Sequence, residues 1–170
     1  RLVSTSEDPT VRQEARLRWA ELEASDLGNP VRAVELATAN STEAPRHERT
    51  RAWLEQRAER ALADKDRTAL ASVARALQPA YHATEDWNAL ISLLRSRVEL
   101  TLEGAARAAL LAEIAQLYEQ RLDQPDLAFA TIVEAIRLAP GRDDLRASAE
   151  SLAQRHELAE ELVDAYLEIA

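Results

Sequence analysis

The chain lacks cysteine and methionine, and it has little that interrupts helices: three glycines and six prolines in 170 residues. The absence of cysteine excludes disulfides, thiolate metal sites and cysteine nucleophiles. One phenylalanine and three tyrosines, with no long alternating run of β-branched residues, argue against a sheet. No apolar run approaches the roughly 18 residues that a membrane helix needs. We therefore expect a soluble segment that does not insert into membranes.

What the chain does contain favours helices. Alanine occupies 34 positions, and Leu, Glu and Arg supply much of the rest, all residues that lose little side-chain freedom in a helix. Lys65 is the sole lysine beside 20 arginines, a bias typical of GC-rich bacterial genomes. Because the chain begins at Arg1 without methionine, we interpret it as a segment of a longer chain. The predicted location is the cytoplasm.

The net charge of −9 opposes general binding to nucleic acid, since affinity for the phosphate backbone comes from an excess of Lys and Arg. A locally basic groove is still compatible with this total. The partner predicted from the sequence is therefore a protein or peptide, with no nucleic acid.

The three tryptophans, Trp19, Trp53 and Trp87, stand 34 residues apart twice over. That interval is the period of a helix-turn-helix repeat that stacks into a solenoid. The alternative is a helical bundle in which the intervals arose by chance. Each tryptophan lies on an apolar stripe of its segment, which predicts a place in the core.

Stop and start signals divide residues 1–170 into about nine amphipathic segments within a single helical domain. Gly28, Asn29 and Pro30 give the clearest turn, combining a helix-ending glycine, an N-cap and a first-turn proline. The second helix is predicted to run to about Asn40, and the third to start at Ser41 or Thr42. The fourth is predicted to end near Pro79, with Thr84 capping the fifth. On the first helix, the predicted core stripe is Val11, Ala15, Trp19 and Leu22.

The stretch from Leu111 to Pro140 resembles a tetratricopeptide repeat, whose first helix places a large residue, Leu, a small residue and Tyr at fixed spacings. One extra residue between the two helices breaks strict register. The residues that carry the resemblance are Leu111, Ile114, Ala115 and Tyr118 on the first helix and Ala128, Ile132, Ala135 and Pro140 around the second. The resemblance implies antiparallel helix pairs stacked as an α-solenoid, a groove that binds peptides or proteins, and no catalysis.

No pattern predicts catalytic, cofactor-binding or metal-binding residues. Glu43 and His47 lie four apart, but a solvated helix face explains that spacing better than a metal does, and His82 and His156 fall in apparent turns. The glycines are isolated, so no phosphate-binding loop is present. Acidic residues sit near helix starts, where negative charge complements the helix dipole.

Arginine is the one residue type whose clustering suggests a binding function. Planar guanidinium groups suit bidentate capture of carboxylates and stack on aromatic rings, so an acidic peptide is a candidate ligand. The alternative is that these side chains are solvated or pair with glutamates on neighbouring turns. The candidate partner-binding residues are Arg12, Arg16, Arg46, Arg49 and Arg57, within clusters that also include Arg18, Arg51 and Arg60.

The predicted function is a non-catalytic protein-interaction scaffold. Two other functions stay open: a structural spacer or self-assembly module within a larger protein, and a helical regulatory domain that binds a small ligand in its core.

Overall fold

The structure, a computed structural model, describes residues 8–169, and every regular element in that range is an α-helix. The predicted all-α fold is confirmed. None of the described helices is both long and apolar enough to span a membrane. The nine helices of residues 8–169 are α1 (Pro9–Ser25), α2 (Pro30–Glu43), α3 (Glu48–Ala63), α4 (Arg67–Thr84), α5 (Trp87–Leu100), α6 (Gly104–Leu122), α7 (Pro125–Leu138), α8 (Asp143–His156) and α9 (Ala159–Ile169).

Side chains cap several helices where the sequence predicts a start. Asp8 accepts a hydrogen bond from the Thr10 backbone N–H at 2.8 Å, and Asn29 accepts one from Arg32 at 3.3 Å. Gly28 has a φ of +63°, the left-handed conformation that glycine adopts at little cost. The predicted turn between α1 and α2 is therefore confirmed.

The predicted end of the fourth helix at Pro79 is wrong. Helix α4 continues to Thr84, because the residues beyond the proline are drawn into the core: Ala80 and Tyr81 are 2% and 5% exposed. Packing of that last turn outweighs the lost backbone hydrogen bond. Asp86 rather than Thr84 caps α5, accepting from the Ala89 backbone N–H at 3.2 Å.

The predicted start of the third helix is also displaced. Helix α2 extends to Glu43, and α3 begins at Glu48 after the N-cap residue His47. Glu43 and His47 therefore lie on different elements and share no helix face. The other two histidines lie in helices rather than in the predicted turns, His82 within α4 and His156 at the end of α8.

The described residues fall into two compact units, one up to Leu90 and one from Ile91, with the boundary inside α5. In the first unit, α1 packs against α2, α3 packs against α4, and α2 also contacts α4. In the second, α6 packs against α7, α7 against α8, and α8 against α9. Neighbouring helices thus pack in pairs, an arrangement compatible with a helical repeat.

Small side chains let the paired helices approach closely. In the first unit Ala20, Ala33 and Ala37 have no exposed surface, and in the second Ala128 and Ala135 have none. Helix packing distances depend on the side chains at the contact, so alanine at these positions allows the helices to pack closely.

The predicted core stripe of α1 faces solvent instead. Val11, Trp19 and Leu22 are 52%, 45% and 45% exposed, whereas Leu17 and Ala20 are buried. The core prediction for Trp19 is therefore wrong, and Trp53 and Trp87 are only half-buried. Helix α1 carries apolar residues on two faces, and the one with Leu17 packs inward.

Candidate functional site

Two of the predicted partner-binding residues, Arg12 and Arg16 on α1, converge on one carboxylate. The Arg16 guanidinium donates to Glu43 at 2.6 Å, and Arg12 donates to its other oxygen at 3.2 Å. Glu43 is the last residue of α2, so this triad ties the start of α1 to the end of α2. Glu43 thereby offsets part of the positive charge of these two arginines within the chain.

The pairing gives Glu43 a titration that differs from that of a free glutamate. The hydrogen bond from Arg16, with that from Arg12, holds the pKa of Glu43 below its ordinary value. A depressed folded-state pKa adds stability that is present above the unfolded-state pKa and is lost as pH falls through the folded-state value. We expect Arg16→Gln to raise the pKa of Glu43 toward its ordinary value, as measured by NMR titration of the side-chain carboxyl.

Arg18→Gln is the matched control for that titration. Arg18 lies on the same helix, is exposed, and forms no ion pair with any described residue. Its substitution should leave the Glu43 midpoint where it is. Equal midpoints in the wild type and in Arg16→Gln would contradict the pairing.

Arg49 takes part in a network that joins α1 and α3. It donates a hydrogen bond to Glu14 and lies 3.8 Å from Glu21. His47 lies 3.2 Å from the other Glu14 oxygen through Nε2, while its Nδ1 accepts from the Thr50 backbone N–H at 3.3 Å. The cap contact requires a lone pair on Nδ1, which places the proton on Nε2, facing Glu14. His47 thus has a structural role at this helix start.

Arg46 lies apart from the other four. Its Nε donates to the backbone carbonyl of Ala83 at 3.2 Å. It lines a recess of about 570 Å³ formed by the start of α3 and the end of α4. The five predicted arginines therefore do not converge on one site.

Arg57 is the one predicted residue that lies in a large groove. The groove is formed by α2, α3 and α4 and has a volume of about 890 Å³; it is called the Trp53 groove below. Its wall on α3 includes Trp53, Arg57 and Arg60, which are spaced by four and three residues and so lie on one helix face. Its other walls include Val31, Val34 and Thr38 of α2 and Thr68, Ala69, Ser72 and Arg75 of α4.

Arg57 is stacked on Trp53. The centre of its guanidinium lies 4.8 Å from the indole ring centroid, within the range of a cation–π contact. Its Nε is buried and has no hydrogen-bond partner among the described residues. Stacking fixes the orientation of the guanidinium before any ligand arrives, which reduces the entropy lost on binding.

The Trp53 groove contains three basic and three acidic residues, but their charges are not equally available. Glu35 pairs with Arg32 at 2.8 Å, and Asp66 caps α4 by accepting from the Ala69 N–H at 2.9 Å. Asp64 lies 3.8 Å from Arg60. Each acidic side chain thus has a partner.

Two arginines of the Trp53 groove have no acidic partner among the described residues. Neither Arg57 nor Arg75 forms an ion pair with any described residue. The groove therefore offers two unpaired guanidinium groups beside an indole ring and apolar surface. That combination is suited to a carboxylate next to an apolar side chain. The sequence interpretation named Arg57 but missed Arg75, whose only signal is its position in register with Thr68 and Ser72 on the polar side of α4.

No group of three or more His, Cys, Asp or Glu side chains in residues 8–169 is arranged to hold a metal ion. His82 contacts the edge of Trp87, with ring centroids 5.1 Å apart. His156 lies 3.2 Å from a Glu119 oxygen. The histidines are thus accounted for by contacts within the chain.

Comparison with known proteins adds no assignment to this geometry. No protein-family model matches the chain, and searches of curated proteins and of solved structures found no significant match.

Proposed function

We propose that the chain is a non-catalytic protein-interaction scaffold of the tetratricopeptide-like α-solenoid type, and that the Trp53 groove binds an acidic peptide segment of a partner protein. The observation that carries the proposal is the Arg57 guanidinium stacked on Trp53 without a carboxylate partner. A partner's Asp or Glu side chain would supply that missing carboxylate. An apolar side chain beside it would rest on Val31 and Val34 of the groove wall.

The repeat interpretation is supported by the packing of α6 and α7. Four of the residues that carry the resemblance, Leu111, Ile114, Ala128 and Ala135, are fully buried on these two helices, which pack against each other. They occupy the large and small positions that such a repeat alternates to bring its two helices together. The groove, in contrast, lies among α2, α3 and α4, where the match to the repeat pattern is looser, so the groove proposal rests on local chemistry.

The first test is a selection from a display library of short random peptides against the purified chain. We expect selected peptides to share Asp or Glu next to an apolar residue, and to bind more weakly as salt rises, because exposed charges are screened. Arg57→Ala removes a charged hydrogen-bond donor, and we expect it to weaken binding of a synthetic selected peptide by about tenfold or more. Isothermal titration calorimetry measures the change.

Arg49→Ala is the matched control, since it removes one arginine from the same helix but outside the groove. It should leave the peptide affinity unchanged, and changing the peptide's carboxylates to amides should reproduce the loss seen with Arg57→Ala. The proposal fails if the selection yields no shared acidic feature, or if Arg57→Ala and Trp53→Ala bind the peptide as the wild type does.

A further inference from the structure

Helix α1 presents an apolar stripe whose large side chains are about half exposed. The stripe consists of Val11, Ala15, Trp19 and Leu22, and is called the α1 face. Its three large side chains are 45–52% exposed. Their offsets of 0, 8 and 11 residues place them along about 16 Å of one side of the helix. A tryptophan exposed within such a stripe is typical of a contact surface rather than of a solvated helix.

Helix α9 presents a second stripe of similar length. Ala159, Val163 and Leu167, called the α9 face, recur at every fourth position and span about 12 Å. Val163 and Leu167 are 57% and 73% exposed. The opposite side of the helix carries the buried Ala165. Helix α9 is thus apolar on two sides, and only one of them packs against the chain.

The positively charged Arg18 lies beside the α1 face and forms no ion pair with a described carboxylate. Arg18 follows Val11 by seven residues and precedes Leu22 by four, so it lies on the same side of the helix as the apolar stripe. It is exposed and has no ion-pair partner among the described residues. The other two arginines of α1, Arg12 and Arg16, are held by Glu43.

The acidic residues of α1 have other partners within the chain, and none of them forms an ion pair with Arg18. Glu14 and Glu21 interact with Arg49, and Glu23 accepts from the Trp19 indole N–H at 3.0 Å. The α1 face is therefore an apolar stripe flanked by one exposed arginine, Arg18, that has no ion-pair partner among the described residues.

The charges beside the α9 face are of the opposite sign. This helix has four acidic residues and no basic one. Glu168 pairs with Arg137, while Glu160 and Asp164, which adjoin the apolar stripe, have no partner among the described residues. Contact between two α1 faces would bring two copies of Arg18 together, and contact between two α9 faces would oppose their carboxylates. Only contact between unlike faces joins opposite charges.

We propose that the chain associates head to tail, with the α1 face of one copy docked on the α9 face of a second copy. The apolar stripes supply the contact area, and Arg18 opposite Glu160 and Asp164 sets the pairing. Because the two surfaces differ, the contact is heterologous, and repeated addition gives either a closed ring or an open filament. A single helix-on-helix contact is small for a stable complex, so association is expected to depend on concentration.

The test measures molar mass by sedimentation velocity from low micromolar to submillimolar concentration. The wild type should grow in mass with concentration. Trp19→Glu blocks the α1 face and Leu167→Glu blocks the α9 face, and each should associate at least about tenfold more weakly on its own. An equimolar mixture of the two variants should form a dimer and nothing larger, because each contributes one intact face.

Leu102→Glu is the control, since Leu102 lies between α5 and α6 and is 80% exposed; it should associate as the wild type does. A wild type that stays monomeric throughout overturns the proposal. So does a mixture that fails to dimerise, or a variant that dimerises alone, which would indicate contact between like faces.

A charge exchange keeps the proposal testable if either apolar substitution disturbs folding. Arg18→Glu and Asp164→Arg should each weaken association alone, and mixing the two chains should restore it. Loss of association in both chains without recovery on mixing would contradict the pairing of these charges.

Discussion

Leu111→Ala is expected to lower the free energy of unfolding of the second unit by about 2–5 kcal/mol, the range for removing a buried leucine side chain and leaving a cavity. Leu111 is fully buried on α6, which packs against α7. Because large and small side chains interdigitate there, the surrounding helices can close the cavity only in part. Urea denaturation followed by far-ultraviolet circular dichroism measures the change.

Leu127→Ala is the matched control, the same chemical change on α7 at a side chain that is 48% exposed. A surface substitution of this kind should alter stability by no more than about 0.5 kcal/mol. Equal losses from the two variants would show that the α6–α7 contact is not the core of its unit.

The tryptophans extend this test, since all three precede Ile91 and so report on the first unit. If the two units unfold independently, Leu111→Ala should shift the circular dichroism transition and leave the tryptophan fluorescence transition in place. A common shift of both signals would indicate that the units unfold as one cooperative system.

Periodicity predicted the burial of α6 well but chose the wrong face of α1. On α6 the neighbours of the predicted stripe, Leu110 and Leu117, are buried as well, so the stripe of Leu111, Ile114 and Ala115 lies in the core whichever of these apolar faces packs. Helix α1 has two candidate stripes, one with Trp19 and one with Leu17, and the spacing fits both. Only the neighbouring helix decides between them, and its position depends on residues far along the chain.

The end of α4 could not be predicted for a related reason. Proline usually ends a helix, yet Ala80 and Tyr81 beyond Pro79 are buried. Burial of that turn depends on tertiary contacts, including the hydrogen bond from the Tyr81 hydroxyl to Glu55 at 3.2 Å. Rules that predict helix ends from the local sequence do not take such contacts into account.

The candidate site shows the same division between local and long-range information. The spacing of Trp53 and Arg57, four residues apart, is enough to place them on one helix face. The partners of Arg12 and Arg16 could not be found in that way, because Glu43 lies 31 and 27 residues away. Arg75 was missed because it joins the Trp53 groove only through the packing of α4 beside α3.

Asn40→Leu is expected to lower the free energy of unfolding of the first unit by about 1–3 kcal/mol, the cost of leaving buried polar groups without a partner. Asn40 is fully buried. Its amide nitrogen donates to Thr50 at 2.6 Å and to the Gln13 carbonyl at 3.2 Å, which joins α1, α2 and α3. Urea denaturation followed by tryptophan fluorescence measures the loss, since every tryptophan lies in this unit.

A double-mutant cycle with Thr50→Val separates the hydrogen bond from the general cost of a core substitution. Thr50→Val alone leaves the Asn40 amide without its closest acceptor and removes the 2.7 Å contact of the Thr50 hydroxyl with His47 Nδ1. The Thr50 backbone N–H still reaches His47, so the start of α3 keeps its cap. Replacing both partners by apolar groups removes donor and acceptor together, and such exchanges can be nearly neutral. We therefore expect the double variant to be more stable than the sum of the single losses predicts. Strict additivity would contradict a direct contribution of this bond.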